Sequence, residues 1–232
     1  MMSISVPHPV PTLAVSGGGA FPVHRIYCVG RNYAAHTREM GFDPNREEPF
    51  FFLKPADALV ASGKDIAYPP MTHDFQHEIE LVVAIGEGGR AISAEQAHRH
   101  VFGYAVGLDM TRRDLQMNAR KQGRPWDMGK GFDESAPCAP LIPASVCGYL
   151  ERGAIWLEVN GEVRQKSDIA HLIWSVPEVI QHLSRFVTLC PGDLIFTGTP
   201  EGVGPVEAGD VMEGHIDGLE DLRATVVAPR LV

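Results

Sequence analysis

Short apolar segments interrupted by glycine and proline recur along the whole chain, and they restrict its fold more than any other feature. The 232 residues include 24 glycines and 18 prolines. β-Branched and aromatic residues in short, turn-bounded runs are typical of β-strands. Such runs lie at residues 23–30, 50–55, 78–85, 101–109, 154–165, 193–200 and 210–228. We therefore predict an α+β protein that is mostly β.

Helices are predicted in three segments only. The Ala-rich segment 32–40 has Asn32 as its candidate N-cap. The segment 93–100 begins with a possible capping box. The third helix is expected at about residues 176–186, where apolar residues recur at helical spacing.

Turn and linker signals define the organisation of the chain. The pair Asn160-Gly161 separates two strand-like halves and predicts a hairpin with a type I′ turn. No internal repeat, low-complexity tract or polar linker divides the sequence. We predict an N-terminal arm, residues 1–22, and a single catalytic domain, residues 23–232.

Composition and charge restrict the class of partner. With 44% hydrophobic and 21% charged residues, the chain is typical of a globular protein. The formal net charge of −9 argues against a nucleic-acid or anionic-membrane partner, because both require a basic surface. No stretch approaches the ~20 apolar residues that span a bilayer, and the N-terminus lacks the basic region of a signal peptide. A cytoplasmic location is therefore expected. The four cysteines lie far apart without C-x-x-C spacing, which favours reduced thiols.

Two glutamates and an aspartate form a candidate metal site. In the segment QHEIELVVAI, Glu78 and Glu80 are two residues apart, so a strand would direct both carboxylates to the same face. By itself this spacing is more typical of the solvated face of a half-buried strand. Asp109 adds weight because it ends the next predicted strand, where binding loops join a rigid scaffold. Three converging carboxylates would suit Mg²⁺, Mn²⁺ or Ca²⁺ rather than zinc.

Six sequence motifs lie in order across nearly the whole chain. They are GRNYAAH (30–36), FFLKP (51–55), HEIELVVAIG (77–86), GYAVGLDMTRRDLQ (103–116), GRPWDMGKGFD (123–133) and PGDLIFTGTPEGVG (191–204). Together they resemble the fumarylacetoacetate hydrolase family, and the chain length is most similar to the branch that cleaves acylpyruvates.

The resemblance implies a mixed β-sandwich roll, usually a homodimer, that binds one Mg²⁺ or Mn²⁺ per chain. It assigns the metal to the E-x-E pair and the later aspartate. Matched position by position, the ligands are Glu78, Glu80 and Asp109. The catalytic residues are His36, Glu39, Lys130 and Gln116.

The residue types support two of these roles without the resemblance. The pKa of a histidine in water lies near neutrality, and a carboxylate three residues further on can fix its tautomer, so His36 beside Glu39 suits a general base. The alternative is an ordinary surface pair on a short helix. Lys130 lies in a G-K-G stretch from which a long cation can reach an oxyanion, although an ordinary loop lysine has the same surroundings.

Cationic and hydroxyl side chains are the candidates for substrate binding. Arg31 and Arg113 can each pair with a carboxylate through a bidentate fork. The other candidates are Lys54, Thr199 as a hydrogen-bond donor and, in competition with the two arginines, Arg112, Lys121 and Arg124. A fumaryl group needs a cation for its distal carboxylate, whereas an acetyl group needs only a small apolar pocket. The acyl group therefore stays open at this point.

Together with these residues, the resemblance implies a metal-dependent hydrolase that cleaves a carbon–carbon bond of an acylpyruvate. The resemblance implies fumarylpyruvate as the first substrate to consider, with fumarate and pyruvate as products, in aromatic (gentisate) catabolism. Two alternatives remain. An oxaloacetate decarboxylase or a muconate-type decarboxylase/isomerase would use the same chelated 2-oxo acid, and a non-catalytic module would bind only a structural cation. The pair His36 and Glu39 favours hydrolysis, because losing CO₂ requires no activated water.

Overall fold

The computed structural model describes residues 9–39 and 47–230, without the side chains of residues 36–38. The strands are β1 (Thr12–Ala14), β2 (Ala20–Pro22), β3 (Arg25–Gly30), β4 (Phe50–Lys54), β5 (Leu59–Ala61), β6 (Asp65–Ala67), β7 (Phe75–His77), β8 (Ile79–Ile85), β9 (Val101–Leu108), β10 (Thr111–Arg112), β11 (Ala136–Cys138), β12 (Ile142–Pro143), β13 (Ala154–Val159), β14 (Glu162–Asp168), β15 (Asp193–Phe196), β16 (Gly204–Pro205), β17 (Val211–Ile216) and β18 (Leu222–Val227). The helices are α1 (Ala34–Glu39), α2 (Arg113–Lys121), α3 (Asp127–Lys130), α4 (Ala144–Cys147) and α5 (Val176–Phe186), with 3₁₀ turns at Ala56–Ala58, Ala97–His100 and Ile169–His171. The predicted mostly-β class is confirmed.

Two mixed sheets form the scaffold. The larger one has eight strands in the order β4-β3-β15-β8-β9-β11-β5, with β12 also paired to β9. The smaller one has five strands in the order β14-β13-β17-β18-β6. A three-stranded sheet, β10-β7-β16, and the hairpin β1-β2 complete the sheets of the described residues. These packed, mixed sheets confirm the predicted β-sandwich roll.

Strand β8 lies at the centre of the larger sheet and is buried on both faces. Leu81 and Val83 pack between the two sheets, in the same core as residues of β13 and β17. Val82 and Ala84 contribute to a second core on the opposite face. An uninterrupted apolar run is typical of a strand buried on both sides. Since side chains alternate along a strand, Glu80 shares the face of Val82, and the candidate site lies at the end of that face.

The described part of the predicted arm is a packed hairpin. Leu13 of β1 and Phe21 of β2 are 1% and 7% exposed and belong to the second core. The ring of Phe21 lies 4.9 Å, between centroids, from that of Phe102. The boundary between arm and domain stays a prediction.

The local predictions for turns and helices have mixed outcomes. Asn160 and Gly161 have φ values of +54° and +79° between β13 and β14, which confirms the hairpin. Helix α5 confirms the third predicted helix. The predicted helix at 93–100 is wrong, because the segment forms turns and the 3₁₀ helix Ala97–His100. Only Ala97 of that 3₁₀ helix is buried, so no apolar face stabilises a longer helix.

Helix α1 begins at Ala34, so the predicted cap Asn32 is also wrong. The Asn32 side chain is buried and holds two loops together. Its Nδ2 donates to the carbonyls of Trp174 (2.9 Å) and Thr197 (2.7 Å), and its Oδ1 accepts from the N–H of Trp174. Helices α2, α3 and α4 were not predicted. Among the described residues, none of the helices has both the length and the apolar character that crossing a membrane requires.

Candidate metal centre and active-site cleft

The ends of two neighbouring strands bring three acidic side chains together. Glu80 lies in β8 opposite Gly107 of β9, and Asp109 directly follows β9. Glu78 lies in the one-residue gap between β7 and β8 rather than inside a strand. A 2.8 Å hydrogen bond from the N–H of Asp109 to the carbonyl of Glu78 continues the pairing beyond β8. This register places the three predicted ligands side by side.

The three carboxylates form a buried cluster. Glu78, Glu80 and Asp109 are 5%, 2% and 0% exposed, which is incompatible with the solvated face of a strand. One carboxylate oxygen of each lies within 4.8 Å of those of the other two. Like charges this close repel one another unless positive charge compensates them.

Lys130 supplies part of that positive charge. Its Nζ donates to Oε2 of Glu78 (2.9 Å), Oδ2 of Asp109 (2.7 Å) and Oγ1 of Thr111 (2.7 Å). Burial lowers the pKa of this amine, but Asp109 and Glu78 raise it more, so the net shift is upward. Lys130 ends the short helix α3 instead of lying in an open loop. Because an ammonium has three protons, this arrangement leaves none for an oxyanion.

Lys54 is a second buried counter-ion. Its Nζ lies 2.8 Å from Oδ1 of Asp109 and donates to the backbone carbonyls of Met110 and Lys130. The residue is 2% exposed and does not line the cleft formed above the acids. A role of Lys54 in substrate binding stays a prediction, and in this structure its amine contacts Asp109 and two backbone carbonyls.

Arg113 is the third cation of the cluster. Its guanidinium donates to Oε1 of Glu78, to Oε1 of Gln116 (2.6 Å) and to Oε1 of Gln76 (2.8 Å). The Arg113 guanidinium, which was predicted to pair with a substrate carboxylate, therefore already pairs with the carboxylate of Glu78. Arg113 orients Glu78 and Gln116 in addition to any contact with a substrate.

Glu80 is the acid with the least compensation. Burial, followed by the negative charges of Asp109 and Glu78, raises its pKa well above the ordinary value. Its Oε2 accepts a 2.7 Å hydrogen bond from the N–H of Gly198, in the loop after β15. A positive ion between the three carboxylates would favour the ionised form of Glu80.

The donor set fits a hard divalent cation. Oδ1 of Asp109 is buried beside the Lys54 amine, at 2.8 Å, but it has no hydrogen-bond partner among the described residues. The ligand atoms are all carboxylate oxygens, which Mg²⁺ and Mn²⁺ prefer. Glu78, Glu80 and Asp109 would hold the ion and leave further positions for substrate oxygens.

A second group of possible ligands, His24, Cys190 and Asp193, does not fit a metal. The Asp193 carboxylate already accepts from Nε and Nη2 of Arg25 (2.9 and 2.7 Å) and from the N–H of Cys190 (2.8 Å). His24 Nδ1 lies 3.0 Å from the same carboxylate. We assign this group to anchoring β15 against β3.

A cleft opens above the three acids. Phe52 and Trp126 form an aromatic wall, with ring centroids 5.9 Å apart. Four cations line the cleft, namely Arg31, Arg113, Arg120 and Lys130. Burial, and next the positive charge of Arg120, lowers the pKa of Arg31, which shows that these two arginines act on the same region.

Two predicted side chains, those of Gln116 and Thr199, line the cleft. Gln116 is 5% exposed, and its Oε1 accepts from Arg113, so its amide N–H groups are available to a ligand. Thr199 is 3% exposed, and its Oγ1 accepts a 2.8 Å hydrogen bond from Nε2 of Gln165. The hydroxyl proton of Thr199 can therefore be donated to a ligand.

The predicted base and its partner lie on α1. The His36 side chain falls outside the described residues. Glu39 is exposed, and its carboxylate oxygens accept from the N–H of Gly202 at 3.3 and 3.2 Å. This contact joins the end of α1 to the loop that carries Thr199.

The three competing cations, Arg112, Lys121 and Arg124, lie away from the cleft. Arg112 packs over the ring of Phe132 at 4.3 Å, while Lys121 and Arg124 are exposed, and none of the three lines the cleft. Arg120, which also lines the cleft, was not among the predicted residues. Helix α2 brings it into the cleft because residues 113, 116, 117 and 120 follow the i, i+3, i+4, i+7 spacing of one helix face. That spacing was the available signal.

A family model described as the C-terminal domain of fumarylacetoacetate (FAA) hydrolase matches residues 25–227. Among similar proteins, a fumarylpyruvate hydrolase of Ralstonia sp. is 50% identical over 184 residues, 79% of this chain and 95% of that protein. The mitochondrial oxaloacetate tautomerase FAHD1 of Pongo abelii is 43% identical over 204 residues, 88% of this chain and 92% of that protein.

One similar solved structure is a fumarylpyruvate hydrolase of Pseudomonas aeruginosa in complex with Mn²⁺ and pyruvate. It is 59% identical to this chain, with a TM-score of 0.95, and the match covers 98% of this chain and 100% of the other. Fold, length and sequence therefore agree over almost the entire molecule.

Proposed function

Because the chain belongs to the fumarylacetoacetate hydrolase family and is a carbon–carbon bond hydrolase, we propose that it hydrolyses fumarylpyruvate to fumarate and pyruvate. The observation that best supports this function is the buried cluster of Glu78, Glu80 and Asp109 in a cleft lined by cationic side chains. A role in aromatic (gentisate) catabolism follows from that substrate. The homodimer and the cytoplasmic location stay predictions.

A divalent cation, Mg²⁺ or Mn²⁺, held by the three acids would act as a Lewis acid toward the carboxylate and keto oxygens of a 2,4-diketo acid. The Mn²⁺ and pyruvate of the Pseudomonas aeruginosa relative support this assignment. Lys54, Lys130 and Arg113 compensate the charge of Glu78 and Asp109 and hold these two acids in place.

Residues of this chain then carry out the proton transfer and stabilise the negative charge that forms on the substrate. His36, oriented by Glu39, takes a proton from the attacking water, which adds to the C4 carbonyl. Gln116 and Thr199 supply neutral hydrogen-bond donors for the oxygen that becomes negative. Cleavage of C3–C4 leaves its electron pair on pyruvate, as the enolate, which is then protonated at C3. In this assignment Lys130 stabilises the acids, and an oxyanion role would require it to release one of its three acceptors.

The cations of the cleft favour an acyl group that ends in a carboxylate. Lys54, Lys130 and Arg113 form ion pairs with Glu78 and Asp109. Arg31 and Arg120 add two further positive side chains to the cleft or its edge. A fumaryl group, flat and negatively charged at its far end, suits this lining and the ring of Trp126 better than an acetyl group.

Oxaloacetate chemistry is the second candidate. The similarity to the oxaloacetate tautomerase of Pongo abelii favours it. Tautomerisation and decarboxylation of oxaloacetate involve the same chelated 2-oxo acid and enolate as acylpyruvate cleavage. Neither reaction consumes water, so the pair His36 and Glu39 distinguishes hydrolysis from both.

The deciding experiment follows the loss of the diketone-enolate ultraviolet absorbance with fumarylpyruvate, acetylpyruvate and oxaloacetate in parallel. Each is assayed with Mg²⁺, with Mn²⁺ and after EDTA treatment. We expect the highest kcat/KM for fumarylpyruvate and no turnover in EDTA. His36→Ala should keep Mn²⁺ affinity but lose about 10²–10⁴-fold in kcat. Full activity in EDTA, or a preference for oxaloacetate, would overturn the proposal.

A further inference from the structure

Gln165 is a buried amide that joins the metal side of the cleft to its substrate side. It lies in β14, 0% exposed, behind the walls of the cleft. Its Oε1 accepts from Nδ1 of His77 and from the N–H of Ile79, both at 3.0 Å. Its Nε2 donates to Oγ1 of Thr199 and to the carbonyl of Pro200, both at 2.8 Å. All four hydrogen-bonding positions of the amide are occupied.

The partners fix the orientation of this amide. The N–H of Ile79 can only donate, so the atom facing it is the oxygen of Gln165. The carbonyl of Pro200 can only accept, so the atom facing it is the nitrogen. His77 must then carry its proton on Nδ1.

The acceptor half of the amide restrains Glu78. His77 and Ile79 flank this metal ligand, and both donate to the same oxygen of Gln165. Glu78 lies in the one-residue gap between β7 and β8, and the N–H of Asp109 donates to its carbonyl at 2.8 Å. Gln165 adds support from the opposite sheet by binding the residues on both sides of Glu78.

The Nε2 group of Gln165 determines the direction in which the Thr199 hydroxyl can donate its proton. Since Oγ1 of Thr199 accepts from Gln165, its own proton must point elsewhere, and the hydroxyl lines the cleft. The loop after Thr199 is also held against β14 by packing. A Cβ on Gly202 would lie 2.1 Å from the carbonyl oxygen of Arg164, so the two backbones touch.

We propose that Gln165 is a positioning residue that simultaneously holds the metal ligand Glu78 and directs the hydroxyl proton of Thr199 toward the substrate. The inference rests on the proposed function, because it takes Thr199 to be a substrate donor. Gln165 itself does not line the cleft and reaches the chemistry only through these two residues.

The test uses the full-length protein with three variants, Gln165→Met, Thr199→Val and the double variant. Gln165→Met should lower kcat/KM for fumarylpyruvate about 10-fold or more, and Thr199→Val should do the same. Because the contribution of the Thr199 hydroxyl depends on the Gln165 amide, the double variant should show no more than the larger single effect. A double variant whose loss of kcat/KM is the product of the two single losses would overturn the proposal. So would a folded Gln165→Met variant with the kcat/KM of the wild type.

Calorimetric titration of the metal-free protein with Mn²⁺ gives a readout separate from turnover. Gln165→Met should weaken Mn²⁺ binding about 10-fold, whereas Thr199→Val should leave it within about twofold. Equal Mn²⁺ affinity in Gln165→Met and wild type would remove the link to Glu78. A wild-type protein that binds Mn²⁺ but does not hydrolyse fumarylpyruvate would defeat the proposed function alone, and the Mn²⁺ titration would still decide the role of Gln165.

Two controls keep the result interpretable. Gln122→Met makes the same replacement at an exposed position and should change neither readout. If Gln165→Met does not fold, Gln165→Glu replaces it, because a carboxylate still accepts from His77 and Ile79 but cannot donate to Thr199. That variant should retain Mn²⁺ binding and lose kcat/KM, and retention of both would overturn the proposal.

Discussion

The backbone N–H of Gly198 donates a 2.7 Å hydrogen bond to Oε2 of Glu80, so a loop glycine holds a buried carboxylate of the candidate metal centre. Gly198 has a φ of +102°, a conformation that residues with a Cβ rarely adopt. The opposite side of the glycine is closed by Asn32, whose Cβ would lie 2.7 Å from a Cβ on residue 198. The position therefore requires glycine for two independent reasons.

Gly198→Ala should destabilise the protein and impair the site together. The left-handed φ costs about 1–2 kcal/mol and the overlap with Asn32 adds to it, so Tm should fall by more than about 4 °C. Displacement of the loop should also weaken Mn²⁺ binding, because Glu80 loses its backbone donor. Thermal unfolding and Mn²⁺ titration measure the two effects.

Gly209→Ala is the matched control for that substitution. Gly209 has nearly the same φ, +105°, but a Cβ there would meet no atom within 4 Å. Gly209→Ala should lose only the stability that the unfavourable φ costs, and its Mn²⁺ affinity should not change. If the two variants lose equal stability and equal Mn²⁺ affinity, the contact between Gly198 and Asn32 has no specific role.

Glu80→Gln should separate metal binding from folding. Mn²⁺ at about 100 times its Kd stabilises a folded site by about 2.7 kcal/mol, so the Tm of the wild type should rise by roughly 5–10 °C. The variant should lose that rise and its activity. Metal-free Glu80→Gln should be at least as stable as the metal-free wild type, because a neutral amide replaces a buried, poorly compensated carboxylate. A normal Mn²⁺-induced shift in Glu80→Gln would contradict the ligand assignment.

Local and periodic signals explain what the sequence could predict. The two-residue spacing of Glu78 and Glu80 and the place of Asp109 after β9 made these acids candidates, and the resemblance to the family assigned all three to a metal. The turn at Asn160-Gly161 depends on its own residues. Helix α2 was missed because its inner face carries Arg113, Gln116 and Arg120, so a functional surface replaces the apolar stripe that identifies a helix.

Long-range contacts explain the rest. The partners of Gln165 lie 86, 88, 34 and 35 residues away in the chain, and no spacing rule connects them. Lys54 was assigned to the substrate from its motif, but the fold turns its amine toward Asp109 and two backbone carbonyls. Which cations face the ligand and which support the acids depends on tertiary packing alone.

His215 predicts a pH-dependent part of the stability, remote from the cleft. Its Nδ1 lies 2.6 Å from Asp221 and its Nε2 lies 3.2 Å from Asp217, an arrangement in which both ring nitrogens donate only in the imidazolium form. Partial burial opposes protonation, but the two aspartates outweigh it and raise the pKa of His215.

The pKa of His215 is higher in the folded protein than in the unfolded chain, where it is about 6.5. The charged imidazolium therefore stabilises the fold fully below about pH 6.5, and this stabilisation is lost as the pH rises through the pKa of the folded protein. His215→Gln should therefore lower Tm by about 1–2 °C at pH 5.5 and by less at pH 9. Thermal unfolding of both proteins across this range measures the difference. A Tm difference that does not vary with pH would show that the stacking of His215 on Trp156, and not its charge, is what the substitution removes.

Arg120→Met tests whether the cleft selects a carboxylate-terminated acyl group. The change removes the charge but keeps an unbranched apolar side chain on the inner face of α2. Losing a hydrogen bond to a charged group costs about 1.5–3 kcal/mol, so kcat/KM for fumarylpyruvate should fall about 10–100-fold, mainly through KM. Acetylpyruvate, which has no distal carboxylate, should be cleaved within about twofold of the wild-type rate. Lys121→Met, at the exposed neighbouring position, should affect neither substrate. Equal losses on both substrates would instead assign Arg120 to the general structure of the cleft, and the preference for a fumaryl group would then need another cation, with Arg31 as the next to test.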